Sequence, residues 1–280
     1  MTTNQTIRFG SGRQLTEIDY LSELLPYLDR YQNIPTIKHL IEQAVATIND
    51  LNNGLLPSAL PTMEIPESVV AELEQYVLKT YPNDATKGNA LWQTLTEPLA
   101  DVDFMLRHLR DALIEYFSMY AYVSNAFIQD LSAYTNGLPV LEIMAGHGYI
   151  SAGLRAVSPA QTIIATDNED WRTQPDPTTA KPVTDVENLD AIAALDSYGE
   201  NVATVVMSWA PDTTDADWQV LQYIRDNRYR FDFDLLVIGE KDGATDSDVF
   251  WQEATLHEVA ALNAHHTSFD LIDERVYVVE

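Results

Sequence analysis

From Glu17 to about Tyr134, apolar residues return every three or four positions and glycine is scarce, which is the spacing of amphipathic helices laid against a shared core. Phe104, Met105, Leu109, Ala112, Leu113, Tyr116, Phe117 and Tyr120 trace one such stripe. Within LLPSALPTMEIP, Pro57, Pro61 and Pro66 each remove an amide donor and fix φ, so the stretch predicts a connector between helices.

After Gly137 the period changes. Short runs rich in Val, Ile and Leu alternate with helical stretches, as βαβ units require. PVLEIM, TIIAT, ATVVMS and DLLVIG are expected strands, and their lack of polar alternation suits a parallel sheet covered by helices on both faces. A weaker strand is expected near Pro182 to Val186. TSFDLID and RVYVVE, almost contiguous, are expected to pair as a C-terminal antiparallel hairpin.

A chain of 280 residues accommodates two domains, and the change of pattern divides it into a helical region over 1–134 and an α/β domain over 135–280. At 46% hydrophobic and 21% charged residues, it has the material for a sizeable core. Charge narrows the partners: 16 Lys and Arg stand against 43 Asp and Glu, and a net charge of −27 repels phosphate backbones, so nucleic acid is a poor substrate. Cysteine is absent, which excludes disulfides, thiolate metal sites and cysteine nucleophiles. MTTNQTIRFG has no apolar run after its first charge and no stretch of 18 uncharged apolar residues occurs, so a soluble, cytoplasmic protein with no membrane partner is expected.

The chemistry concentrates in LEIMAGHGYIS, Leu141 to Ser151, where an acidic residue lies inside a strand and a glycine pair fills the following turn. Glycine lets the backbone turn tightly and approach a ligand with no Cβ in the way. Glu142 precedes Gly146 by four residues and Gly148 by six. Asp167 ends the next expected strand, 19 residues beyond Gly148, where a carboxylate can accept both hydroxyls of a ribose. Two ligands fit that pair of features. A dinucleotide would dock its pyrophosphate on the helix N-terminus, with Ser151 as the third small residue, but Glu142 is a poor neighbour for an anion and a good one for an amino-acid ammonium. At the fourth strand, Ser208-Trp209-Ala210-Pro211 falls at the carboxyl edge where open α/β sheets bind ligands, and Trp209 offers an aromatic face to a cation.

The glycine segment resembles the first motif of class I S-adenosylmethionine-dependent methyltransferases, with Met144 where that family usually has another glycine. The resemblance runs from about Tyr120 to Phe250, through Tyr120-Ala121-Tyr122 ahead of the motif and Gly239, Glu240, Gly243, Thr245 and Asp248 after the fifth strand, as in a poorly characterised group of methyltransferase-like proteins. It implies a Rossmann-like α/β fold: a doubly wound, mostly parallel seven-stranded sheet with a C-terminal antiparallel hairpin, preceded by the α-helical region. It implies S-adenosylmethionine as cofactor, held by Tyr122, Glu142, Ala145, Gly146, Gly148, Tyr149, Asp167, Asn168, Asp190, Ser208 and Trp209, and a small-molecule or protein methyl acceptor. Asp190 also reads as a helix cap, Ser247 or Thr245 as the cap of the following helix, and Glu240 as a salt bridge, cap or conceivable base. His257, His265 and His266 lack metal-site spacing and read as a solvated helix end. No catalytic residue is singled out. A non-catalytic cofactor-binding or regulatory module on the same fold remains the alternative, with an NAD-dependent oxidoreductase behind it.

Overall fold

The apolar runs of the second half become strands of one sheet because each is covered on both faces. In the computed structural model, which describes residues 6–173 and 181–280, these are β1 (Val140–Ile143), β2 (Ile163–Asp167), β3 (Glu187–Asn188), β4 (Thr204–Ser208), β5 (Asp234–Gly239), β6 (Leu256–Glu258) and β7 (Arg275–Val279). Among the described residues they form a sheet of order β3-β2-β1-β4-β5-β7-β6, parallel throughout except at β7, which runs antiparallel to both β5 and β6. This is the mostly parallel, doubly wound, seven-stranded sheet expected from the sequence.

Among the described residues, seven α-helices precede it: α1 (Asp19–Arg30), α2 (Pro35–Asn52), α3 (Val69–Thr80), α4 (Ala85–Thr96), α5 (Leu99–Arg107), α6 (Leu109–Phe117) and α7 (Asn125–Thr135). α8 (Tyr149–Val157), α9 (Ala191–Tyr198), α10 (Ala216–Asp226), α11 (Asp248–Glu253) and α12 (Ala260–Asn263) lie between strands. The expected connector is the non-helical stretch between α2 and α3.

Strand residues alternate between two cores, as the twofold period of a strand demands. Val140, Val206, Leu236, Ile238 and Val276 join the helical region's Leu51, Leu106, Phe117 and Phe127, together with Ile150 and Leu154 of α8, in one cluster. Leu141, Ile143, Val205, Met207, Leu235 and Val237 face the other way, onto Leu195 of α9, Leu221 of α10 and Phe250 of α11. The helical region therefore supplies one of the sheet's two covering layers. Glu142 lies between Leu141 and Ile143 and so shares the face of Val140.

Three expectations change. The stripe from Phe104 to Tyr120 is not one helix face: His108 leaves the helical conformation (φ −98°, ψ 19°) and separates α5 from α6. The buried face is instead Val102, Leu106, Leu109, Leu113 and Phe117, leaving Phe104 and Tyr120 exposed. The antiparallel C-terminal pair consists of β7 and the three residues of β6, with no strand over 267–273. In that segment Phe269 is buried against the Tyr122 ring and Asp270 is paired with Arg110, roles that draw the chain away from a ladder. The weak strand falls at Glu187–Asn188, just beyond the expected Pro182 to Val186. The first five residues of MTTNQTIRFG lie outside the described residues.

Candidate functional site

The turn after β1 begins with Met144 at φ 53°, the left-handed region that glycine occupies freely and a methionine seldom does. Met144 thus takes a backbone shape in which glycine is the ordinary residue. Gly146 (φ 51°) and Gly148 (φ 76°) are left-handed too, and Gly148 is the N-cap of α8. The turn is tied to β2 by two bonds: the Ala145 amide donates to the Thr166 carbonyl (3.0 Å) and the Gly146 amide to Asp167 Oδ2 (2.8 Å). The two glycines differ in surroundings. A Cβ on Gly146 would meet nothing within 4 Å, whereas one on Gly148 would stand 2.9 Å from methyl groups of both Thr184 and Val186. Gly146 faces open space; Gly148 packs against the 184–186 segment.

Two carboxylates flank this turn. Glu142 is buried, its Oε2 accepting from the Ser151 amide of α8 (2.9 Å), and burial pushes its carboxyl up to about 7. Asp167, at the end of β2, also accepts from the Glu169 amide (2.6 Å), and burial raises its pKa. Asn168 follows, exchanging hydrogen bonds with Asp170.

At the end of β4, on the other side of β1, Trp209 is also left-handed (φ 55°), a strained state for an aromatic residue that persists only where surroundings fix it. Its amide donates to the Ile238 carbonyl (2.9 Å), its ring lies 4.7 Å from the Arg110 guanidinium, and the Tyr120 ring is 6.4 Å away. Arg110 is buried among acceptors. Its Nε and Nη2 donate to Asp270 (2.6 and 3.2 Å), and its Nη1 donates to the Tyr120 carbonyl (2.5 Å) and stands 2.6 Å from Glu274. His266 Nε2 is 3.2 Å from the other oxygen of Glu274. Burial opposes charge at Arg110, but Glu274 and Asp270 outweigh it and keep the guanidinium firmly protonated.

These strand ends open on one cavity of about 510 Å³, closed on its far side by Ile114, Met119, Tyr120 and Val123 from the end of α6 and the stretch after it. Such a volume suits a small molecule or cofactor. Its lining carries the carboxylates Glu142, Asp167, Asp170 and Asp212 and, among the described residues, no Lys or Arg. Ser208 Oγ and Trp209 Nε1, both on the lining residues, are buried with no hydrogen-bond partner among the described residues.

Of the residues singled out from sequence, Glu142, Ala145, Gly146, Tyr149, Asp167, Asn168, Ser208 and Trp209 line this cavity. The structure places three elsewhere. Tyr122 is buried with its hydroxyl donating to the Ser58 carbonyl (2.6 Å) and its ring on Phe269; Gly148 packs on Thr184 and Val186; Asp190 is exposed and caps α9 by accepting from the Ala193 amide (2.9 Å). Ser247 caps α11, and Glu240 accepts from the Ala244 and Asp273 amides (2.8 Å each), tying two loops rather than facing the cavity. The histidines do not share a helix end: His257 is on β6, His265 contacts Asp130 at 2.7 Å, and His266 is buried beside Glu274. His147, Asp170 and Trp171 line the cavity without having been singled out. The His147 and Trp171 rings pack 4.6 Å apart, and their signal was positional, His147 lying between the two glycines and Trp171 four residues past Asp167.

No protein-family model matches the sequence, and no curated protein matches it. Solved structures match parts of the chain at low identity. A precorrin-6y C5,15-methyltransferase from Geobacter metallireducens GS-15 is 11% identical over 57% of this chain and 88% of its own, with a TM-score of 0.32. Human N-acetylserotonin methyltransferase in complex with SAM is 12% identical over 75% of this chain and 65% of its own (TM-score 0.33). An uncharacterized protein from Listeria monocytogenes serotype 4b is 9% identical over 55% of this chain (TM-score 0.30), which spans 66% of that protein's length. The chemistry of the cavity therefore rests on its own residues.

Proposed function

We propose that the cavity binds S-adenosylmethionine and that the protein transfers its methyl group to an acceptor held between β4 and the 114–123 stretch. The observation that carries this reading is the pairing of Gly146, whose backbone faces open cavity, with the Asp167 carboxylate at the end of the adjacent parallel strand. That pairing sets a close-approach turn beside an acceptor for ribose hydroxyls. Glu142 on the inner side suits the cofactor's ammonium, and the unpartnered Ser208 Oγ and Trp209 Nε1 are available to its polar atoms.

Charge separates this ligand from a dinucleotide. S-adenosylmethionine carries a sulfonium and an ammonium against one carboxylate, whereas a pyrophosphate brings two negative charges into a cavity with four carboxylates and, among the described residues, no cation. When bound, the cofactor supplies the methyl group: the acceptor's lone pair forms the new bond as the carbon–sulfur bond breaks, leaving S-adenosylhomocysteine. The chain's own part is alignment and exclusion of water, which needs no dedicated base where the acceptor is already nucleophilic. The helical region over 1–134, in this reading, is the acceptor wall of the α/β domain over 135–280 and not a separate binding unit.

The test is incubation with methyl-labelled S-adenosylmethionine and a panel of amine, phenol and thiol acceptors, with S-adenosylhomocysteine followed by mass spectrometry. Acceptor-dependent product, lost in Trp209→Ala, is expected. Tight binding with no product across the panel would instead favour a module that keeps the fold without turnover.

A further inference from the structure

The acceptor side of the cavity has a definite chemical character. From the helical region come Ile114, Met119 and Val123, and from the β4 loop Ala210 and Pro211, all apolar. Tyr120 and Trp209 stand together there, their ring centroids 6.4 Å apart and tilted by 51°. The backbone that carries each ring is fixed. Arg110 lies over Trp209 and holds the Tyr120 carbonyl, and the Trp209 backbone is bonded to β5 in a left-handed conformation. Pre-positioned aromatic faces recognise flat rings at small entropic cost.

Two cations lie against rings of the lining, and each is paired elsewhere: Arg172, 4.9 Å from the Trp171 ring, is 2.6 Å from Glu169, and Arg110, 4.7 Å from the Trp209 ring, is 2.6 Å from Asp270. The Arg110 donors are directed to Asp270, Glu274 and the Tyr120 carbonyl, so its charge is taken up by two carboxylates. At the rim stands Asp212, exposed and part of the lining. An anionic acceptor would thus be desolvated among carboxylates with no Lys or Arg in the lining, among the described residues, to pair it, the costly outcome for a buried charge. An uncharged or cationic ring meets aromatic faces and a carboxylate rim instead.

The geometry points to a methyl acceptor that is a flat, apolar ring compound carrying a hydroxyl or an amine and no carboxylate or phosphate, stacked at Trp209 and Tyr120. The inference rests on the methyl-transfer reading for its biological meaning, but binding tests it separately. With the full-length protein saturated in S-adenosylhomocysteine, three naphthalenes that differ in charge are titrated by calorimetry at pH 7: 2-naphthylmethylamine, 2-naphthol and 2-naphthoate. The amine and the phenol are expected to bind, with 2-naphthoate at least tenfold weaker than either. Asp212→Lys should shrink the amine-to-naphthoate preference at least threefold, and Trp209→Ala should weaken the amine and the phenol about tenfold. Where Trp209→Ala fails to fold, Tyr120→Ala, at an exposed position, serves for the same comparison. Naphthoate binding as tightly as the amine would overturn the inference, as would failure of all three to bind or affinities untouched by loss of either ring. If S-adenosylhomocysteine does not bind while the charge preference appears, the cofactor reading falls and the ring-binding site stands without it.

Discussion

The Gly146 amide donates to the Asp167 carboxylate at 2.8 Å across 21 residues of sequence, so the acid at the end of β2 builds the glycine turn at the end of β1. A residue read from sequence as a ribose acceptor is thus also a structural tie. Asp167→Ala should weaken S-adenosylmethionine binding by about 1–3 kcal/mol and also lower the thermal midpoint of the ligand-free protein, because the Gly146 and Glu169 amides lose a charged acceptor. Paired calorimetry and thermal melts check both effects. An unchanged melt would show that the tie contributes nothing to stability.

The two glycines should separate under substitution. Gly146→Ala places a methyl group in open cavity at the cost of a left-handed alanine, roughly 1–2 kcal/mol, and should reduce cofactor affinity at least tenfold in a folded protein. Gly148→Ala carries the same backbone cost and also drives its methyl against Thr184 and Val186 at 2.9 Å, so its melting temperature should fall further. Equal losses of affinity and stability in the two variants would remove the distinction.

Arg110 pairs with two buried carboxylates, and Arg110→Ala removes that cation from both. A loss of about 3–5 kcal/mol is expected in urea denaturation, partly recovered by adding Glu274→Gln. No recovery in the double variant would mean that the loss arises from packing on Trp209 and Phe269 instead.

Glu142 sets a pH dependence with a definite sign. Its folded pKa lies above its ordinary value, at about 7, because it is buried, so its contribution to stability is complete below the unfolded pKa and is lost as pH rises through about 7. Buried Asp246, raised to about 8 by the same cause, acts in the same direction over a window reaching higher. Stability of the ligand-free protein should therefore fall between about pH 4.5 and 8, and Glu142→Gln should flatten the lower part of that fall. An ammonium beside Glu142 favours the ionised form, so cofactor affinity should rise with pH through about 7, with proton release below it. Calorimetry in two buffers of different ionisation enthalpy reads that release, and its persistence in Glu142→Gln would assign it to another group.

The sheet was legible because β1, β2, β4 and β5 are buried on both faces, which writes them into the sequence as continuous Val, Ile and Leu runs. The antiparallel end was not. TSFDLID has a strand's composition, yet Phe269 and Asp270 are taken up by Tyr122 and Arg110, partners more than a hundred residues away, while β6 is three residues with His257 and Glu258 exposed. In the site, Gly146, Glu142 and Asp167 were legible because a tight turn and two strand-end acids are local in sequence. Tyr122 was misplaced for the opposite reason: the resemblance put it at the cavity, and a hydrogen bond to Ser58, 64 residues earlier, takes it away. The Arg110 cluster joins α6 to the segment before β7 and leaves no local pattern to read.

The most direct test of the central claim is calorimetric titration of the full-length protein with S-adenosylhomocysteine, S-adenosylmethionine and NAD. One-to-one binding of both S-adenosyl compounds is predicted, weakened at least tenfold in Gly146→Ala, with no detectable NAD binding. A protein that ignores both S-adenosyl compounds, or that binds NAD at the same cavity, would contradict it.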